Sequence, residues 1–137
     1  MINAIKKEII LRSKNYNDEI ETIYFGGGTP SLLKIKDIDD IFLTIENNYN
    51  LCNNIEITIE ANPDDFSKEK LKSLSKTKIN RISLGVQTLN DDALKLMRRV
   101  HSSKQSIDSI ENSLLFFKNI SIDLIYGIPN LDTVSYT

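Results

Sequence analysis

Glu60, Gln87 and Asp123 stand at or near the ends of three short apolar runs, and each has a side chain able to work on a polar ligand. A carboxylate turned inward has to be paired, solvated or bound, because a bare buried charge is costly. Glu60 therefore has two fates open to it, an ion pair with Arg81 of the next run or contact with a ligand. Gln87 offers both a donor and an acceptor, and Asp123 accepts hydrogen bonds or caps a loop. Arg98 and Arg99 close a helical stretch, where a cation interacts favourably with the last carbonyls. Gly26-Gly27-Gly28-Thr29-Pro30 follows an apolar run directly, and glycines there let the backbone turn sharply and approach a ligand. The stretch lacks the Gly-Lys-Ser/Thr of a phosphate loop and the last glycine of the dinucleotide fingerprint, so a plain turn and a ligand loop both remain open. The single histidine, His101, reads as a surface or loop residue. The single cysteine, Cys52, has no base partner nearby in sequence and reads as an incidental thiol. One cysteine and one histidine exclude a disulfide framework and are too few to ligate zinc or an iron–sulfur cluster.

These residues need elements to position them. Ile2, Ile5, Ile9 and Ile10 have helical spacing, and Thr22–Phe25 is a strand-like run into the glycines. A helix is predicted from about Lys36 with Ile38, Ile41, Phe42 and Ile45 on one face, then a strand over Ile55–Ala61 closed by Asn62-Pro63. Ser67 is the expected N-cap of a helix through Leu71 and Leu74. Arg81–Gln87 is the third strand, after which Asn90 or Asp91 caps a helix carrying Leu94 and Met97. Ser103 or Ser106 opens a further helix whose apolar face is Ile107, Ile110, Leu114 and Phe117. Ile120–Gly127 is the fourth strand, ended by Pro129.

Alternation of strands and helices means βαβ units and a parallel sheet, an α/β fold. Ile55, Ile57 and Ile59 oppose Glu56, Thr58 and Glu60, and Ile82, Leu84 and Val86 oppose Arg81, Ser83, Gly85 and Gln87. Ile122, Leu124 and Tyr126 likewise oppose Ser121 and Asp123. A doubly wound sheet would be apolar on both faces, and a closed eightfold barrel would be filled with branched side chains. One apolar and one polar face, repeated three times, predicts a curved sheet with helices outside and a wet concavity inside.

The 137 residues carry 17 basic and 19 acidic side chains, a net charge of −2 that offers no electrostatic case for nucleic acid or an anionic membrane. No apolar run of about 18 residues exists, and charges throughout the first residues argue against a signal peptide. A cytoplasmic protein without a transmembrane segment is expected.

Taken in order, TIYFGGGTPSLL, EITIEANPDDFSKEKLKSL, NRISLGVQTLNDDALKLMRRVHS and IDLIYGIP resemble the radical S-adenosylmethionine family that includes oxygen-independent coproporphyrinogen III oxidase and HemW-type heme chaperones. The resemblance implies a partial parallel (β/α) barrel, about four strands of it present, whose lumen holds S-adenosylmethionine. It places Gly27, Gly28 and Thr29 at the methionine end of that cofactor, and Glu60, Gln87, Arg99 and Asp123 among its other contacts. It also implies a 4Fe–4S cluster held by a CxxxCxxC loop, whose ligands are not in this chain. Residues 1–137 are accordingly expected to be an incomplete core domain, without the cluster loop and the C-terminal part, and no catalytic or metal residue is assigned. LMRRVHSSKQ favours the heme-chaperone branch, with heme or porphyrin as ligand, a heme-accepting protein as a partner, and His101 as a heme contact to be tested. The alternatives are the oxidase, which decarboxylates two propionates, and a non-catalytic truncated remnant. An unrelated barrel using Glu60 as a general base is a further reading.

Overall fold

In the computed structural model, which describes residues 1–129, four strands form one parallel sheet in sequence order. They are β1 (Glu19–Phe25), β2 (Asn50–Ala61), β3 (Arg81–Gln87) and β4 (Asn119–Leu124). Helix α1 (Ile2–Ser13) precedes β1; α2 (Ile35–Glu46) and α3 (Lys68–Leu74) make the next two crossovers. Two helices, α4 (Asp91–Leu96) and α5 (Ser103–Leu114), join β3 to β4. Residues 130–137 of the expected core domain lie outside the described residues.

Burial follows the period-two pattern. Ile57, Ile59, Ile82, Leu84 and Val86 form one core with Ile38, Ile41 and Phe42 of α2 and with Leu71 and Leu74 of α3. Their opposite neighbours Glu56, Glu60, Arg81 and Gln87 are only half-buried. Sequential strand order with the helices packed on one face is how a barrel curves, and the chain is an α/β partial barrel of four parallel strands.

The elements differ from their sequence-based bounds for local reasons. β2 begins at Asn50 rather than Ile55, because pairing with β1 (Glu19 beside Asn50, Ile20 beside Leu51) recruits its polar start across a register shift. β4 stops at Leu124 because the chain turns away at Gly127, whose φ is +75°. α5 is capped by Ser102, not Ser103 or Ser106: Ser102 and Gln105 form a reciprocal capping box.

The largest correction concerns the face that α5 buries. Ile107 and Leu114 are 44% and 60% exposed, while Ser106, Ser109 and Ser113 are 0–3% exposed. Small side chains let the helix lie close to β3, α3 and the 3-10 turn Pro63–Asp65. Of the expected apolar set, Phe117 is fully buried just beyond the helix and Ile110 packs half-buried against the core. Ser106 donates back to the Ser102 carbonyl at 3.2 Å, but the buried hydroxyls of Ser109 and Ser113 have no hydrogen-bond partner among the described residues.

An unpaired buried hydroxyl is a liability, and alanine is the better helix former. Ser113→Ala should therefore raise the unfolding free energy by about 1 kcal/mol, seen as a higher urea midpoint at unchanged slope. A lower midpoint would show that this hydroxyl is satisfied.

Candidate functional site

The site forms where β1, β2, β3 and β4 end on the polar side of the sheet. β1 runs out into Gly27 and Gly28, with φ of +80° and +64°, a region that side-chain-bearing residues enter only with strain. The turn brings the Gly27 N–H to Glu60 Oε2 at 3.1 Å, while Tyr24 Oη donates to Glu60 Oε1 at 2.9 Å. Both oxygens of Glu60 are thus held from β1. A Cβ at Gly26 would lie 2.9 Å from the Tyr24 ring and 3.2 Å from Glu60 Oε1, so the missing side chain makes room for this contact.

The Glu60–Arg81 ion pair does not form, and the register explains why. Arg81 lies beside Thr58, whereas Glu60 lies beside Ser83. Arg81 instead donates to Thr58 Oγ1 (3.3 Å), Glu56 Oε1 (3.5 Å) and Ser121 Oγ (3.0 Å), one layer deeper in the concavity.

Gln87 arrives by a different route. The β3–β4 register shifts between Leu84 and Gln87, and Gln87 adopts φ +70°, a left-handed conformation costing roughly 1–2 kcal/mol. Its carbonyl accepts from the Ile125 N–H at 2.9 Å, which holds the irregularity against β4. Gly85 lies beneath: a Cβ there would sit 2.9 Å from Gln87 Nε2 and 3.5 Å from Arg99 Nη2. Bare backbone is what lets the amide and the guanidinium lie over β3.

Arg99 follows α4 through left-handed Arg98 (φ +55°), with the Arg99 N–H donating to the Leu94 carbonyl at 2.9 Å. That turn leaves Arg98 exposed and brings Arg99 inward to a half-buried position. The loop is clamped on either side. Asn90 caps α4, and Asp91 Oδ1 accepts the Ser103 N–H at 2.7 Å, a bond that holds the Asp91 pKa below its ordinary value. On β4, Asp123 accepts from Ser83 Oγ at 3.2 Å.

Gly28, Thr29, Glu60, Gln87, Arg99 and Asp123 line one cavity of about 240 Å³, and Gly27 joins them through its bond to Glu60. Two carboxylates facing one guanidinium suit a ligand with both acidic and basic or hydroxyl groups. Sequence reasoning did not single out Tyr24, Ser83 and Gly85 as site residues. Gly85 carried a signal, since a glycine inside a strand marks close approach of another group.

His101 is not a surface residue. Its side chain is 1% exposed, Nε2–H donates to the Val86 carbonyl at 3.2 Å, and Nδ1 lies 3.5 Å from Asp64 Oδ1. It packs between the end of β3 and the turn after β2 with its ring buried. Cys52 stands eight positions before Glu60 along β2, about 26 Å at strand rise, so it cannot ligate anything in the cavity. Among the described residues no group of three or more potential ligands could hold a metal ion.

The "Radical SAM superfamily" model matches residues 3–134. The heme chaperone HemW of Lactococcus lactis is 44% identical over 130 residues, which cover 93% of this chain and 34% of that protein. The heme chaperone HemW of Buchnera aphidicola from Schizaphis graminum is 42% identical over 130 residues, covering 95% and 34%. The chain thus spans about a third of the length of these relatives. Among solved structures, coproporphyrinogen III oxidase (HemN) from Escherichia coli, described as a radical SAM enzyme, superposes with a TM-score of 0.84 at 27% identity. That match covers 98% of this chain and 31% of that one.

The Tyr24 pKa is raised, first by desolvation of its hydroxyl and then by its hydrogen bond to Glu60. A raised phenol pKa stabilises the fold fully below the ordinary value of 10.0, and that contribution is lost as pH rises through the raised value. With ring carbon ζ labelled, the Tyr24 resonance should titrate above 10.0, and Glu60→Gln should lower that midpoint. An unmoved resonance would show that the Tyr24–Glu60 bond is not made in solution.

Proposed function

Given that the chain belongs to the radical S-adenosylmethionine superfamily, we propose that it is the cofactor-holding core of a HemW-type heme chaperone acting in the cytoplasm. The observation that carries the proposal is the convergence of Gly28, Thr29, Glu60, Gln87, Arg99 and Asp123 on one cavity at the strand ends of a chain more than 40% identical to HemW proteins. Family membership displaces the reading of an unrelated barrel with Glu60 as a general base.

The donor set fits S-adenosylmethionine. Arg99 supplies a guanidinium fork for the cofactor's carboxylate, and the turn at Gly27–Thr29 lets its main chain approach the methionine end. Glu60, held by Tyr24 and Gly27, keeps fixed negative charge towards the cofactor's ammonium side. Asp123 accepts from the ribose hydroxyls, and Gln87 offers its amide to the remaining polar groups. About 240 Å³ is below the roughly 300–1,000 Å³ of a pocket enclosing a drug-sized ligand, so these residues enclose part of the cofactor. Radical chemistry is what the cofactor supplies in the family. The cluster is a different matter: three thiolates are required and the chain has one cysteine at the far end of β2, so no step through a cluster is assigned to these residues.

Heme or a porphyrin is the proposed cargo and a heme-accepting protein the proposed recipient. His101 is not part of this proposal, because its Nε2–H is committed to Val86. The fold likeness to coproporphyrinogen III oxidase supports a second reading, in which the same core serves propionate decarboxylation. Heme titration of a version extended to the relatives' length separates the two: a Soret shift without turnover of coproporphyrinogen supports the chaperone, and turnover the oxidase.

Calorimetry of this chain with S-adenosylmethionine should give a dissociation constant weaker than micromolar. Arg99→Gln should weaken it by about tenfold or more, the scale of a lost charge-assisted hydrogen bond. Gly85→Ala should also weaken it while leaving the melting temperature nearly unchanged, because the one tight contact of the added Cβ, 2.9 Å, is with the movable end of Gln87. Unchanged affinity in both variants would remove the cavity as the cofactor site.

A further inference from the structure

We propose that Ser83 and Ser121 are positioning residues that aim Asp123 into the cavity through a one-way hydrogen-bond relay starting at Arg81. A guanidinium donates and never accepts, so Arg81 Nη2 is the donor to Ser121 Oγ at 3.0 Å. A serine hydroxyl has one proton to give, and Ser121 gives it to Ser83 Oγ at 3.1 Å. Ser83 then gives its own proton to Asp123, with Oδ1 at 3.2 Å and Oδ2 at 3.5 Å. An ionised carboxylate only accepts. Both ends of the chain are therefore defined; Ser83 also lies within hydrogen-bonding reach of the Tyr24 hydroxyl, whose own proton goes to Glu60.

Burial fits the direction of support. Ser83 is 4% exposed and Arg81 is half-buried, with Nη1 also donating to Thr58 and Glu56. Asp123 is exposed, on a strand whose Ile122 and Leu124 are themselves 44% and 48% exposed. The anchored floor thus holds the carboxylate on the least supported strand. Ser83 occupies only part of the acceptor capacity of Asp123, and a carboxylate held there keeps lone pairs for a vicinal diol at the cavity. This use of Asp123 rests on the cofactor reading above; the relay itself does not.

Two measurements on the full chain separate them. In the ligand-free protein, three-bond couplings should report one dominant χ1 rotamer for Asp123, averaging over rotamers in Ser83→Ala and in Ser121→Ala and restored in Ser83→Thr. In binding, wild type should prefer S-adenosylhomocysteine over its 2′,3′-dideoxy analogue. Ser83→Ala should shrink that preference by about fivefold, the scale of one net hydrogen bond. A merely structural serine would weaken both ligands alike and leave the preference intact. An unchanged Asp123 rotamer in Ser83→Ala overturns the relay. A fixed rotamer that loosens in Ser83→Ala, in a wild type with no diol preference, upholds the relay and removes Asp123 from the cofactor reading.

Discussion

The lateral register of β2, β3 and β4 is the constraint on which the site depends. Parallel pairing turns matched side chains to the same face, so one slip would carry a whole row from the concavity to the core. Here Thr58, Arg81 and Asn119 form one row, and Glu60, Ser83 and Ser121 the next. The lower row holds the cation and the upper row begins the site. A guanidinium one step higher would meet Glu60 and close the cavity with an ion pair. One step lower it satisfies Glu56, Thr58 and Ser121 and leaves Glu60 to Tyr24 and Gly27.

Regular register alone does not complete the site. Where β3 and β4 slip between Leu84 and Gln87, the backbone takes a left-handed conformation that Gln87 tolerates only because Ile125 and the surrounding strands hold it. Arg98 does the same beside Arg99. Both non-glycine residues with positive φ among the described residues are therefore next to or within the site. The strain sits where side chains must leave the regular pattern to converge.

Much of this was legible in the sequence, because period-two alternation is a local property. The polar faces through Glu60, Gln87 and Asp123, the glycine turn and the parallel α/β class all follow from spacing and residue type. The fate of Glu60 was not legible: it turns on which strand residue lies beside which, and an ion pair and a hydrogen-bonded carboxylate look the same in one dimension. His101 does stand in a loop as expected, but its burial was not legible, since only the fold brings Val86 and Asp64 to its two nitrogens. The α5 face was misread because hydrophobic spacing assumes that the apolar stripe is buried. Close packing favoured Ser106, Ser109 and Ser113 instead, leaving Ile107 and Leu114 outside.

The separation between Cys52 and the cavity bears on how holding and reacting are divided in this fold. The cavity is lined from the carboxyl ends of the strands and the turns after β1 and β2, where parallel sheets place their ligands, and by Arg99 from the segment after α4. The thiol stands at the opposite end of β2, with Sγ 3.9 Å from the Glu21 carbonyl. No rearrangement of one side chain spans about eight strand residues. The cavity is thus assembled wholly from residues at the other end of the sheet, and its geometry is independent of the thiol.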